Sequence, residues 1–210
     1  MTEIIIIRHG ETEWNKTGRF QGQSDVPLSP EGHAQAALLG QHLDVGHADA
    51  FYASDLIRTM ETAAPLAKRL GLTVVPDPAL RELHFGAWEG RFFSEINTED
   101  PETLKHFYRD PEHANIPDSE DFSVFKKRIA GRVRTIAAEH RGERVIIVRS
   151  GDMGSAVVSM DWAHELALLG SARLARRGLL FLGPTANKIM RNLPVPLVAV
   201  PSAPEGGEET

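Results

Sequence analysis

Cysteine is absent from this 210-residue chain. Its absence excludes a disulfide framework, a thiolate nucleophile and any zinc site built on cysteine. Long apolar runs are absent too, since nothing approaches the roughly 20 residues that span a bilayer. No basic-then-apolar leader is visible at the N-terminus. A cytoplasmic protein with no membrane partner is therefore expected. Cations are outnumbered, with 23 Lys and Arg against 29 Asp and Glu and a net charge of −6. That balance argues against nucleic acid as a partner. It leaves room for a phosphorylated ligand, because a local cationic pocket can sit on an acidic protein. His-Glu-x-x-His, a carboxylate-rich magnesium loop and a glycine-rich loop ending in Lys-Ser/Thr are all missing, so neither a metal nor another cofactor is expected.

What is present reads as an ordinary globular domain, 41% apolar and 25% charged, long enough to bury a sizeable core. Residues 1–193 are expected to form one domain and 194–210, rich in proline, glycine and glutamate, a disordered tail. Ile4-Ile5-Ile6-Ile7 reads as a strand buried on both faces, as in a parallel sheet. It ends in Arg8-His9-Gly10, none of which a core strand favours. Ligands in open α/β sheets sit outside the carboxyl ends of strands, and Arg8 and His9 stand at such an end.

Further along, Gly18-Arg19-Phe20-Gln21-Gly22-Gln23 is a glycine-flanked loop with one cation. Ser29 reads as the N-cap of a helix with Pro30 at its first position and Leu38, Leu39 and Leu43 on its apolar face. Asp49–Ala53 is a second short strand. Ser54 or Asp55 is expected to cap a helix from about Leu56 to Leu70, stopped by Gly71. Arg58 falls in its first turn, where a cation opposes the helix dipole and invites a functional explanation. Leu72–Val75 reads as an outer strand. Leu80-Arg81-Glu82-Leu83-His84-Phe85-Gly86-Ala87-Trp88-Glu89-Gly90 is neither clean strand nor clean helix. On residue type alone, Glu82 and Glu89 rank equally as a general acid or base. Residues 91–118 are polar and broken by prolines around a short helix at 102–109, a strip of the length that often covers an active site; a lid over the pocket and a mobile insertion are equally open readings. A helix beginning at 118–121 carries Phe122, Phe125, Ile129, Val133 and Ile136 at helical spacing, and Val145–Val148 is a second central strand. A helix over Ala156–Leu169 and a short strand over Gly178–Leu182 complete the expectation.

Arg8-His9-Gly10-Glu11-Thr12-Glu13-Trp14-Asn15 resembles the signature of the histidine phosphatase superfamily, which includes cofactor-dependent phosphoglycerate mutases and their phosphatase relatives. The resemblance extends through Ser54-Asp55-Leu56-x-Arg58-Thr59-x-x-Thr62 and the Glu82–Gly90 element, and fades after Val148. It implies a single three-layer α/β domain, with a mostly parallel central sheet and helices on both faces. It implies an enzyme in which His9 is the nucleophile and passes through a phosphohistidine, while Glu82 is the general acid/base and Glu89 is structural. Arg8 and Arg58 become phosphoryl ligands. Asn15, Arg19, Gln21 and Gly22 become candidate substrate contacts. The implied partner is a small phosphorylated substrate, the cofactor none, and the assembly a monomer or homodimer.

One position departs from the pattern. The family's last central strand feeds a Ser/Thr-His-Gly-Gly loop, whereas this chain reads Arg149-Ser150-Gly151-Asp152. Ser150 takes the place of the second histidine among the substrate-binding residues and supplies no positive charge. Losing one preorganised donor costs about 10²–10³ in rate, unless Arg149 turns inward to replace it. The expected function is a phosphomonoesterase of small metabolites with reduced activity. The alternatives are mutase-type phosphoryl transfer, for which residues 91–118 lack paired arginines, and a catalytically inactive protein that binds a phosphate ligand.

Overall fold

Ile4–Ile7 sit at 2–6% exposure in strand β1 (Glu3–Arg8) because the strand is covered on both faces and paired along both edges. A computed structural model provides the coordinates. It describes residues 2–150 and the strands 167–175, 179–182 and 197–202. Strand β2 (Ala50–Ala53) follows helices α1 (Glu13–Thr17) and α2 (Pro30–His42). Then come α3 (Ile57–Leu70), β3 (Val74–Pro76), α4 (Phe93–Glu99), α5 (Pro101–Arg109), α6 (Phe122–Glu139) and β4 (Arg144–Arg149). β5 (Ala167–Ala175), β6 (Leu179–Leu182) and β7 (Leu197–Ser202) complete the described elements.

The sheet runs β3-β2-β4-β1-β5-β6, with β7 also paired to β5. Every pairing is parallel except β5 with β6. β1 and β4 are the inner pair, in register from Glu3 opposite Arg144 to Arg8 opposite Arg149. Their side chains alternate between two cores, as strand geometry requires. Ile5, Ile7, Ile146 and Val148 face Leu39 of α2 and Ala63 and Leu66 of α3. Ile4, Ile6, Val145 and Ile147 face Phe125, Ile129, Val133 and Ile136 of α6. The three-layer α/β arrangement expected from the sequence is present.

Four local expectations are corrected. Neither Ser54 nor Asp55 caps α3: Leu56 is the N-cap residue and makes no side-chain cap bond. Both Asp55 oxygens are held by Arg81 at 2.6 Å, and the Ile57 amide instead donates to Asp25 at 2.7 Å, so the cap arrives from a distant loop. Leu38 is 48% exposed on α2, leaving Leu39 to pack. The helix expected over Ala156–Leu169 ends in strand: Ala167 and Leu168 pair with Ile5 and Ile6 of β1, and 156–166 lies outside the described residues. Within the expected tail, Leu197–Ser202 forms β7, where a Leu-Val-Ala-Val run suited to strand overrides the flanking prolines.

Residues 91–118 are built into the α6 face of the domain. Ile96, Leu104 and Ile116 join the same buried cluster as Leu83 and Phe85. Between this segment and the start of α6 lies a cleft of about 280 Å³ lined by Leu83, Phe107, Asn115, Asp118 and Phe122 among others.

The α2–α3 layer depends on close backbone approach. A Cβ at Gly40 would lie 2.6 Å from the Pro65 Cβ and 2.9 Å from its carbonyl carbon. Alanine is the better helix former by about 1 kcal/mol, but overpacking costs about 1–3 kcal/mol. Gly40→Ala is expected to lower the urea-unfolding free energy; an increase would show that the two helices part freely.

Candidate active site

At the carboxyl end of β1 the chain leaves the sheet, and His9 is only 7% exposed. Its Nδ1 lies 2.6 Å from the Gly10 carbonyl oxygen. A carbonyl only accepts, so the proton sits on Nδ1 and Nε2 keeps its lone pair. Burial, followed by the charges of Arg8 and Arg58, pushes the imidazole well below its ordinary value of 6.5; the bond to Gly10 opposes this, and Arg149 adds to the lowering. His9 is thus neutral near pH 7, with Nε2 the basic, nucleophilic nitrogen.

The motif on α3 positions this loop. The Gly10 amide donates to the Thr62 hydroxyl at 2.9 Å, and that hydroxyl donates to the Arg58 carbonyl at 2.6 Å. One threonine therefore ties the His9–Gly10 turn to the helical turn carrying Arg58. Thr59 pins the start of the same helix through bonds to the Ser54 and Leu56 carbonyls.

Arg58 is fully buried. Its Nη1 donates to the Ser24 carbonyl at 2.8 Å and its Nη2 to the Gly22 carbonyl at 2.6 Å, with Glu82 at 3.4 Å. Its Nε–H has no hydrogen-bond partner among the described residues. An orphan buried donor on a cation is costly, and it marks a place where an anionic oxygen is welcome. Gly22 has a φ of +54°, and a Cβ there would collide with the Glu89 carboxylate. Glycine is what lets its carbonyl reach the guanidinium.

Glu82 approaches from the loop after β3. Burial raises its carboxyl above the ordinary 4.5, against the opposing charges of Arg58, Arg8 and Arg149. Its backbone amide donates to the Ser150 hydroxyl at 3.2 Å, which brings the end of β4 against the same loop. Ser150 is 2% exposed and Arg149 8%. Arg8 is exposed at the rim, although its charge bears on both His9 and Glu82.

Direct bonds or acting charges link His9, Glu82, Arg8, Arg58, Gly22 and Ser150, while the bonding partners of the other candidates lie in the neighbouring loops. Asn15 completes the α1 capping box: its side chain accepts from the Thr12 amide at 3.0 Å, and the Thr12 hydroxyl accepts from the Asn15 amide at 3.1 Å. Arg19 donates to the Gly90 carbonyl at 2.6 Å and stacks 3.6 Å over the Phe92 ring. Gln21 is buried and accepts from the Thr12 hydroxyl at 2.8 Å. Glu89 accepts from the Gln23 and Phe85 amides and the Ser24 hydroxyl. It therefore shapes the loop that feeds Arg58.

Arg128 lies outside every motif of the sequence. From α6 it donates to the carbonyls of Ala79 (3.0 Å), Arg81 (2.9 Å) and Glu82 (3.3 Å), while Glu120 holds it through both oxygens at 2.9 and 2.7 Å. This fork clamps the Glu82 loop to the α6 face. The only available signal was a charged pair eight residues apart, which surface helices also show.

A profile of the histidine phosphatase superfamily (branch 1) matches residues 4–172, past Val148. The chain belongs to that superfamily. Among similar proteins, phosphoserine phosphatase 1 of Hydrogenobacter thermophilus is 32% identical over 148 residues, covering 70% of each chain. A probable phosphoglycerate mutase, GpmB, of Serratia proteamaculans is 34% identical over 151 residues, 72% of this chain and 70% of its own. The solved α-ribazole phosphatase of Shigella flexneri superposes with a TM-score of 0.63 at 31% identity, covering 73% of this chain and 75% of that one.

Hydrogen bonds to a charged group contribute about 1.5–3 kcal/mol. Arg128→Met is expected to lower unfolding stability by about that amount and to speed amide exchange at 79–84 while β1 and β4 keep their protection. Equal loosening throughout would mean that Arg128 supports the whole core and has no special hold on this loop.

Proposed function

We propose that this member of the histidine phosphatase superfamily is a metal-independent phosphomonoesterase of small phosphorylated metabolites, acting in the cytoplasm without nucleic acid or membrane partners. The observation that carries the reading is the Nδ1–H to Gly10 bond, which leaves Nε2 available on a buried, neutral His9 whose ring feels the charge of Arg58, a guanidinium with an Nε–H unpartnered among the described residues. A nucleophile and an anion-binding donor that act on one another meet the two demands of phosphoryl transfer, positioning and charge stabilisation.

In the first step Nε2 attacks phosphorus and the bond to the leaving oxygen breaks, giving a phosphohistidine. Glu82 delivers its proton to that oxygen. The raised carboxyl pKa keeps a proton available for this. In the second step the Glu82 carboxylate takes a proton from water, the resulting oxygen attacks phosphorus, and the P–N bond breaks to return His9. Arg58 and Arg8 hold the equatorial oxygens throughout. Gly22 orients Arg58 through its carbonyl. Asn15, Arg19 and Gln21 are further candidate substrate contacts, each already held in the surrounding loops by the protein's own bonds.

Mutase-type transfer is the alternative that the GpmB relative brings forward. It needs a grip on a substrate carboxylate, and residues 91–118 offer no paired arginines for one. Release of inorganic phosphate from 3-phosphoglycerate without isomerisation separates the two.

The chemistry requires His9 unprotonated and Glu82 protonated. The pKa of His9 is lowered, so activity is expected to persist as pH falls below 6.5 and to fail only well under it. The pKa of Glu82 is raised, so the alkaline limb lies above 4.5. A pH profile of kcat/KM with p-nitrophenyl phosphate reads both limbs; an acid limb at 6.5 or above contradicts the assignment of His9. Glu82→Gln is expected to lower kcat by about 10²–10⁴, and acid-labile phosphate trapped on the parent is expected to vanish in His9→Ala. A Glu82→Gln variant with parental kcat would remove Glu82 from the chemistry, and a parent that releases no phosphate from any monoester would leave the inactive binding reading in its place.

A further inference from the structure

We propose that Arg149, on the reading of this site as a phosphoryl-transfer centre, contacts the transferred phosphoryl group and supplies from the end of β4 the positive charge that the family pattern assigns to a histidine at position 150. Ser150 cannot supply it, and its hydroxyl already accepts from the Glu82 amide at 3.2 Å. The placement of Arg149 follows from strand register. β1 and β4 are parallel neighbours with Arg8 opposite Arg149, and such strands run about 4.8 Å apart. Ile4 and Ile6 share one core with Val145 and Ile147, so the next residues of the same parity, Arg8 and Arg149, leave the same face side by side. The backbone continues the pairing past the strand, with the His9 amide donating to the Arg149 carbonyl at 3.1 Å.

Burial separates the two arginines. Arg8 is exposed, whereas Arg149 is 8% exposed and its Nη1 donates to the Ser150 carbonyl at 2.8 Å. A long cationic side chain at a strand end ordinarily carries its head to water, and here the guanidinium turns inward. Its charge bears on both the His9 imidazole and the Glu82 carboxyl, the two groups that flank the phosphorus in the mechanism. A guanidinium suits phosphoryl oxygens and retains its charge at any working pH, which an imidazole does not. No bond to Arg149 forms or breaks; it stabilises the charge spread over the equatorial oxygens.

The full-length chain, assayed with p-nitrophenyl phosphate and with inorganic phosphate as competing product, tests this directly. Arg149→Gln and Arg149→Lys both keep a donor for the Ser150 carbonyl and differ in charge. Arg149→Gln is expected to lose about 10²–10³ in kcat/KM and to weaken phosphate inhibition at least about tenfold, with Arg149→Lys recovering most of both. Ser150→His is expected to restore activity in the Arg149→Gln background and to add little to the parent. If thermal unfolding shows that Arg149→Gln does not fold, Arg149→Met takes its place with the same expectations. Loss of no more than about threefold in the neutral variant, or equal losses in the neutral and lysine variants, overturns the assignment. If the parent itself is inactive, the phosphatase reading fails separately. Titration of inorganic phosphate in a calorimeter then decides the contact: binding weakened at least about tenfold by Arg149→Gln and restored by Arg149→Lys upholds it, and unchanged binding overturns it.

Discussion

A single hydrogen bond, from His9 Nδ1 to the Gly10 carbonyl 2.6 Å away, decides which nitrogen of the imidazole is free, and the rest of the site is arranged so that this choice matters. Without it the neutral ring has two tautomers, and one of them puts its N–H on Nε2, the nitrogen that the proposed chemistry needs bare. With it, Nε2 is committed, and burial together with neighbouring cations keeps the ring uncharged below the ordinary histidine range. The geometry is local, between adjacent residues, but it holds only because the Gly10 turn is fixed from outside. Thr62 provides that restraint, accepting from the Gly10 amide while donating to the carbonyl of Arg58.

The electrostatics follow from how the layers meet. Three guanidinium groups, those of Arg8, Arg58 and Arg149, act on one imidazole, and all three also act on Glu82. They favour the neutral form of His9 and the ionised form of Glu82. Burial opposes them at Glu82, where it is the larger effect and the carboxyl pKa rises. The two groups' proton affinities are thereby moved toward one another, His9 downward and Glu82 upward. Support comes from elements remote in sequence: Asp25 takes the first amide of α3, Glu89 shapes the loop that presents the Gly22 and Ser24 carbonyls to Arg58, and Arg128 clamps the loop of Glu82.

Much of this was legible in the residues. The isoleucine run, the two central strands and the stripe on α6 follow from periodicity, since each buries one face or both. His9, Arg58 and Glu82 stand in motifs whose resemblance to the superfamily is long enough to be specific. Tertiary choices were not legible. Asp55 has the right chemistry to cap α3, but Arg81 takes both of its oxygens. Asn15 and Arg19 are candidate substrate contacts through the resemblance, and their structural duties, one closing a capping box and the other stacking on Phe92, could not be read from the sequence. Arg128 carries no local signal because its partners are backbone carbonyls, which every sequence has. The direction of Arg149 depended on which face of β4 its parity selects, and the register with β1 was needed to show that.

The most direct test of the committed tautomer is a long-range nitrogen–proton NMR correlation on the protein carrying nitrogen-15 histidine, with His9→Gln used to assign the ring. The expected result is an unprotonated, pyridine-type Nε2 and a protonated, pyrrole-type Nδ1 for His9, persisting as the pH is lowered past 6.5. A proton on Nε2 with Nδ1 bare, or a doubly protonated ring already at that pH, would contradict it.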